Sequence, residues 1–303
     1  MMASDTLYGG IEAGGTKFVC AISDDAFQPR ERVTFPTTTP VETIDRAISF
    51  FRTGVPDGRL SAVGIGSFGP VDPDPASATY GYITTTPKKG WQHTEFAGRL
   101  QRALGLPVGF DTDTNAAALG EHVRGAGAGL ATFLYLTVGT GVGGGALVGG
   151  RRLHGLLHPE MGHVALPRAD GDPFEGACPF HGDCLEGMIS GPALEARTGR
   201  SPKELPPDHE VWTYTVHYLA AALVNFICVL SPQRIILGGG VMHQRHLFPR
   251  VRSRVQDLLN GYLQNDSILR NIDAYIVPPG LGDDAGVVGA LALAREAAGE
   301  RAA

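Results

Sequence analysis

Leu7-Tyr8-Gly9-Gly10-Ile11 and Phe18-Val19-Cys20-Ala21-Ile22 are short apolar runs, and Glu12-Ala13-Gly14-Gly15-Thr16-Lys17 lies between them. This reads as a strand, a glycine turn and a second strand. The pattern returns about 125 residues later. There 132–138 (TFLYLTV) is a strand, Gly139-Thr140-Gly141 a turn, and 142–148 (VGGGALV) a second strand. Read as a weak internal repeat, each hairpin opens one α/β half; two unrelated hairpins are the alternative.

Working outward, Thr39-Pro40-Val41-Glu42 has capping-box spacing with proline at the first helical position. A helix over 40–52 would then place Val41, Ile44, Ile48 and Phe51 on one face. Residues 62–66 and 107–110 are buried-type strands, the second ending at Asp111 ahead of an alanine-rich helix from Asn115 to about Val123. Residues 151–207 are loop-rich. A largely buried helix spans 209–230, followed by strand 234–237, an amphipathic helix over 246–259, strand 274–277 and a last helix from near Asp283-Asp284.

The chain has 303 residues, enough for about two domains and a large core. Charged residues make up 18%, and Lys plus Arg (25) against Asp plus Glu (31) leaves a net charge of −6, which argues against nucleic acid as a partner. The N-terminal residues MMASDTLYGG carry no secretory pattern, and the apolar run Tyr218 to Leu230 is shorter than a bilayer crossing needs. A cytoplasmic protein without membrane attachment is expected. The 42 glycines cluster in short runs, as where backbone must approach a ligand.

Two familiar phosphate motifs fail on context. Gly139-Thr140-Gly141-Val142-Gly143-Gly144 fits G-x-G-x-x-G, but a strand follows where a dinucleotide fold needs a helix. Gly9 to Lys17 has the residues of a P-loop in the wrong order. Glycine–threonine turns between paired strands still offer N–H groups and a hydroxyl to phosphate oxygens, and two such turns would suit a triphosphate. Glu12 would then bind Mg²⁺ through water.

Cys178, His181 and Cys184 at three-residue spacing, with His163 ahead of them, make a Cys₂His₂ set for structural zinc. Cys20 and Cys228 read as small core residues. Asp111-Thr112-Asp113-Thr114-Asn115 lies at a strand end and helix start, where ligands of α/β folds gather. One of the two aspartates caps the helix, and a carboxylate here would accept a hydroxyl proton during phosphoryl transfer. Glu160 and Glu186 flank the metal loop, and carboxylates there accept hydrogen bonds from vicinal hydroxyls.

Together these residues resemble the ROK family (repressors, uncharacterised frames and sugar kinases), and most closely its bacterial fructokinase branch. The resemblance rests on 10–17, Gly69-Pro70-Val71-Asp72, Thr86-Pro87-Lys88-Lys89-Gly90-Trp91, 113–117, 139–143, Glu160-Met161-Gly162-His163 and the zinc loop. It implies a two-lobed actin-like (ribonuclease-H-like) α/β fold. The expected lobes are a small one over 1–122, closed by the C-terminal helix 283–303, and a large one over 123–282 bearing the zinc loop. ATP and sugar bind in the cleft of such proteins. Asp113 is then the catalytic base. Gly14, Gly15, Thr16 and Lys17 form the first phosphate loop, Gly139, Thr140 and Gly141 the second, and Gly239 and Gly240 lie near the adenosine. Glu160, His163 and Glu186 line or support the sugar pocket, and zinc positions them.

Three departures accompany the resemblance. Glu12 stands where most of the family has Asp, Thr112 where it has Asn, and Cys178-x-x-His181-x-x-Cys184 replaces the usual C-x-C-G-x-x-G-C. All three look like the fructokinase branch. The expected function is ATP- and Mg²⁺-dependent phosphorylation of the 6-hydroxyl of a hexose, D-fructose first, by a homodimer. Glucose, mannose or an N-acetylated hexosamine are alternative sugars. A sugar-responsive regulator is the alternative of another class, and the family's repressors carry a helix-turn-helix ahead of a phosphate loop that here begins by residue 10.

Overall fold

β1 (Leu7–Ala13) and β2 (Lys17–Ser23) pair antiparallel, with Ala13 opposite Phe18 across the turn. In the computed structural model, which describes residues 6–55 and 60–299, this hairpin is the centre of the first of two compact units. Residues 1–5, on which part of the no-leader reading rests, and the last four positions of the expected segment 283–303 lie outside the described residues. Unit 1 takes the described residues up to Ala128, then Arg152–His158, then Asp284 onward; unit 2 takes Gly129–Arg151 and Pro159–Asp283. The return of Arg152–His158 to unit 1 has no signal in the sequence pattern.

In unit 1, β3 (Glu31–Pro36) extends the hairpin, α1 (Pro40–Gly54) follows, and β4 (Leu60–Ser67) pairs parallel to β1. A small ribbon, β5 (Tyr82–Ile83) with β6 (Thr94–Glu95), precedes α2 (Ala97–Leu104). β7 (Val108–Thr112) pairs parallel to β4 and leads into α3 (Asp113–Arg124). The sheet order is β3-β2-β1-β4-β7.

Phe18, Phe35, Ile44, Phe51, Ile65, Trp91 and Phe96 share one core, which β2 and β4 enter as almost continuously buried strands. Each such side chain stabilises the fold by roughly 1.5–3 kcal/mol through removal from water. On α1 the buried face is Thr43, Ile44, Ala47, Ile48 and Phe51, whereas Val41 is 60% exposed. Thr43 takes the inner place because its hydroxyl accepts the Thr38 N–H at 3.0 Å. The capping box is half formed: Thr39 Oγ1 accepts from Glu42 N–H at 3.3 Å, but the Glu42 carboxylate accepts from the Thr38 hydroxyl. The C-terminal helix Ala285–Ala297 lies against the same sheet. It comes so close that a Cβ at Gly64 would collide with the Ala290 carbonyl, so the approach requires glycine.

Unit 2 repeats the arrangement. β8 (Phe133–Val138) and β9 (Val142–Val148) form the hairpin, and β10 (Arg151–Arg152), of which Arg151 falls in this unit, is the short edge strand. α4 (Leu185–Ile189), α5 (Gly191–Thr198) and α6 (Val211–Leu230) follow, then β11 (Ile235–Gly238), α7 (Leu247–Leu259), α8 (Asp266–Leu269), α9 (Ile272–Tyr275) and β12 (Ile276–Val277). The order β10-β9-β8-β11-β12 matches that of unit 1, with β11 parallel to β8. The expected strand 274–277 is only its second half, because Ala274 and Tyr275 N–H groups bond back to Asn271 O and close a helical turn.

α6 is longer than the apolar run Tyr218–Leu230. Its 20 residues, with mean hydropathy 1.6 over 18 of them, are long and apolar enough to cross a membrane by length and composition. Half of that window is buried inside the protein, where Trp212, Leu219 and Leu223 are core residues. Its polar groups are also met internally: Tyr218 Oη donates to buried Asp172 at 2.7 Å. The four cysteines are all thiols; Cys20 is in the core as expected, but Cys228 is exposed on the outer side of α6.

Candidate active site

In unit 1 Gly15 and Thr16 are exposed and Gly14 is half-buried, and the backbone carbonyls of the turn accept bonds from Thr37. Gly14 N–H donates to Lys17 O (3.0 Å), Thr37 N–H to Thr16 O (2.9 Å) and the Thr37 hydroxyl to Gly14 O (2.7 Å). Glu12, near the end of β1, abuts the first turn of the C-terminal helix, where a Cβ on Gly286 would lie 2.7 Å from its Cδ. Burial raises the Glu12 pKa to about 7, and the neighbouring Asp113 charge adds to this while Lys17 and Arg32 oppose it. Glu12 and Asp113 are therefore electrostatic neighbours. Two carboxylates together offer the oxygen donors that a hard cation such as Mg²⁺ takes.

Asp113 is the first residue of α3 and half-buried. Neither aspartate is the cap. Thr112 is, with extended backbone and its hydroxyl accepting Asn115 N–H at 3.0 Å. The cap geometry leaves Asp113 inside the helix, and Asp111 is spent elsewhere. Asp111 is buried and accepts from Arg152 Nε at 2.8 Å and from the Asn115 amide at 2.9 Å, with His154 Nε2 at 3.0 Å. Burial pushes its pKa up, but His154, Arg152 and Asn115 outweigh it and hold the carboxyl below the usual range. Arg152 also bonds Glu296 at 2.7 Å, tying the segment to the C-terminal helix. This network was not expected from the sequence; Arg151-Arg152 after the second hairpin is its only visible trace.

In unit 2 the turn Gly139–Gly141 meets Gly239-Gly240: a Cβ on Gly139 would be 3.7 Å from Gly240 N. Gly239 has φ 89°, and a side chain there would press on Val138 O and the Thr137 hydroxyl. Only glycine suits this position. The second turn and the expected adenosine glycines are thus adjacent within one unit.

His163, Cys178, His181 and Cys184 place one ligand atom each within 4.8 Å of all the others. His163 Nδ1 is 3.3 Å from His181 Nδ1 and 3.5 Å from Cys184 Sγ, and Cys178 Sγ is 3.7 Å from each histidine Nδ1. A tetrahedral ion with N ligands at about 2.05 Å and S ligands at about 2.3 Å has N–N edges of about 3.3 Å and N–S edges of about 3.6 Å. These four edges match that geometry, and the set offers four protein ligand atoms to one ion.

The other ring nitrogen of His163 faces the carboxylates. Its Nε2 is 3.9 Å from Glu160 Oε2 and 3.9 Å from Glu186 Oε1. Although the Glu160 side chain retains 44% exposure, desolvation of its carboxyl together with Glu186 raises its pKa to about 7. At this separation the carboxylates act on the ring through charge rather than through a direct hydrogen bond. Glu186 makes a second contact that sequence reasoning missed: its Oε2 accepts Val142 N–H at 2.9 Å, at the end of the glycine turn. A separate cavity of about 660 Å³, lined by Phe174, Arg197, His209 and Tyr214 among others, contains none of these residues.

A family model described as "ROK family" matches residues 8–297. A putative fructokinase of Bacillus subtilis (strain 168) is 49% identical over 96% of this chain and 96% of its own. A fructokinase of Pediococcus pentosaceus is 45% identical over 96% of this chain and 98% of its own. Among solved structures, a ROK family glucokinase from Streptomyces griseus in complex with glucose and AMPPNP superposes with TM-score 0.75 at 25% identity, covering 96% of this chain and 99% of that one.

Proposed function

Because the chain belongs to the ROK family, we propose that it is an ATP-dependent hexose 6-kinase whose preferred sugar is D-fructose. The observation that carries this is the pair Glu160 and Glu186 converging on His163 beside a complete metal set. Paired carboxylates are the groups that grasp vicinal sugar hydroxyls. The full-length similarity to proteins named fructokinase supports the choice of sugar.

In this reading Asp113 accepts the proton of the C6 hydroxyl as its oxygen attacks the γ-phosphorus; the bond to the β-phosphate oxygen breaks and ADP leaves. Gly14, Gly15, Thr16 and Lys17 take one part of the nucleotide phosphates, and Gly139, Thr140 and Gly141 another. Gly239 and Gly240 stand beside the adenosine. Glu12 is the residue that would hold Mg²⁺ through water, and that ion supplies neutralisation of phosphate charge when bound. Zinc is the ion assigned to His163, Cys178, His181 and Cys184; it supplies a closed structural crosslink. A cytoplasmic homodimer belongs to the same reading, as the family resemblance implies.

The test is ADP release from ATP with a panel of hexoses. Fructose should exceed glucose, mannose and N-acetylmannosamine in kcat/KM by about tenfold or more, in line with site groups built to hydrogen-bond particular hydroxyls. A higher value for another hexose replaces the sugar, and no ADP release with any hexose removes the kinase. In the same assay Asp113→Asn should lower turnover by about a thousandfold while sugar affinity changes little.

A further inference from the structure

Glu186 stands at a junction. It follows the metal ligand Cys184 by two residues, within α4, and its carboxylate has two ends with different partners. Oε1 faces His163 Nε2 at 3.9 Å, while Oε2 accepts Val142 N–H at 2.9 Å. The same oxygen lies 2.6 Å from where a Cβ on Gly141 would be, so the carboxylate rests directly against the turn. The other side of the turn is held by the segment that follows α4: Gly191 N–H donates to Gly139 O at 2.7 Å. The metal loop itself is bonded to α4, Ala177 N–H donating to Gly187 O at 2.9 Å. One short stretch, 184–191, therefore connects the metal set to both sides of the glycine–threonine turn.

We infer that Glu186 is a positioning residue for nucleotide binding, through the Val142 N–H bond that shapes the Gly139–Gly141 turn, in addition to its place beside the sugar. The inference rests on the proposed function, in which that turn receives nucleotide phosphates. A turn rich in glycine has many accessible backbone conformations. A charge-assisted hydrogen bond at its end selects one of them before the nucleotide arrives, so less ordering is left to the binding step. The metal set then acts on the nucleotide as well as on the sugar carboxylates, because α4 carries both effects.

The experiment measures binding of a non-hydrolysable ATP analogue with Mg²⁺ to the metal-loaded protein in the absence of sugar. Wild-type binding confirms that the nucleotide reading stands, and its failure overturns that reading rather than the role of Glu186. Glu186→Ala should weaken the analogue by about tenfold, the loss of one hydrogen bond to a charged acceptor. Glu186→Gln keeps an oxygen for Val142 N–H and should stay within about threefold of wild type while still impairing sugar binding. Unchanged affinity in the alanine variant, or equal loss in alanine and glutamine variants, overturns the proposal. Where the alanine variant does not fold, Glu186→Asp decides: it keeps the charge but withdraws it by one methylene, about 1.5 Å. Several-fold weaker binding supports the role, and wild-type affinity overturns it.

Discussion

The two hairpins share strand order and turn composition, yet they are stiffened by different means. The first turn, Gly14–Thr16, is braced by backbone and by Thr37, a residue just past the edge strand β3. The second, Gly139–Gly141, is braced by a carboxylate on a different element and by Gly191, both belonging to the stretch that begins at a metal ligand. The edge strands account for this. β3 is six residues long and delivers Thr37 to the first turn, whereas β10 is two residues long. In unit 2 the loop inserted after it supplies the brace, and that loop has few apolar residues of its own to bury. In the proposed function, a metal crosslink there would provide order where a core does not.

The largest break in this comparison should come from chelating the metal. Loss of the crosslink should cost on the order of 5 kcal/mol and raise amide hydrogen exchange around 139–142 and 178–187 while leaving exchange at Gly14 and across β1–β2 unchanged. Equal loss of protection in both turns would abolish the distinction. Re-binding should tighten as pH rises, since burial raises the Cys184 thiol to about 11 and the ligating form is the thiolate.

Asp111→Asn acts on unit 1 alone. Removing one partner of a buried ion pair should cost about 3 kcal/mol at pH 7, read by urea unfolding, with metal content unchanged. The pH dependence has a definite sign. Asp111 has a folded pKa below its unfolded value of about 3.9, so its contribution is present above that pH and is lost as pH falls through the folded value. The variant should therefore show a flatter acid limb than wild type below about pH 4.

The smallest effect should be Thr37→Val, which removes the hydroxyl bond to Gly14 O. It should cost about 1 kcal/mol of stability and weaken the ATP analogue by only a few-fold, less than Glu186→Ala. A larger loss than at Glu186 would mean that the first turn depends on its side-chain brace as strongly as the second.

Much of this was legible in the chain. Short apolar runs flanking Gly14–Thr16 and Gly139–Gly141 located both hairpins, because strand composition and turn residues are local properties. The spacing Cys178, His181, Cys184 located the metal loop for the same reason, and His163 joined it in space. What stayed hidden was long-range. Whether Asp111 or Asp113 capped α3 depended on Thr112 taking the cap, and the burial of Asp111 depended on Arg152 and His154 arriving from about forty residues away. Val41 and Cys228 looked like core positions by pattern, and each is exposed.

The sequence by itself determined the elements: which runs become strands, where glycine must turn them, and which side chains are able to bind an ion or accept a proton. These follow from backbone sterics and side-chain chemistry that act within a few residues. Only the tertiary structure decided how those groups are shared out. It divided the Glu186 carboxylate between an imidazole and a backbone amide, and brought the charge of Asp113 within electrostatic range of Glu12. Such pairings depend on distance and burial in three dimensions, to which local sequence pattern is blind.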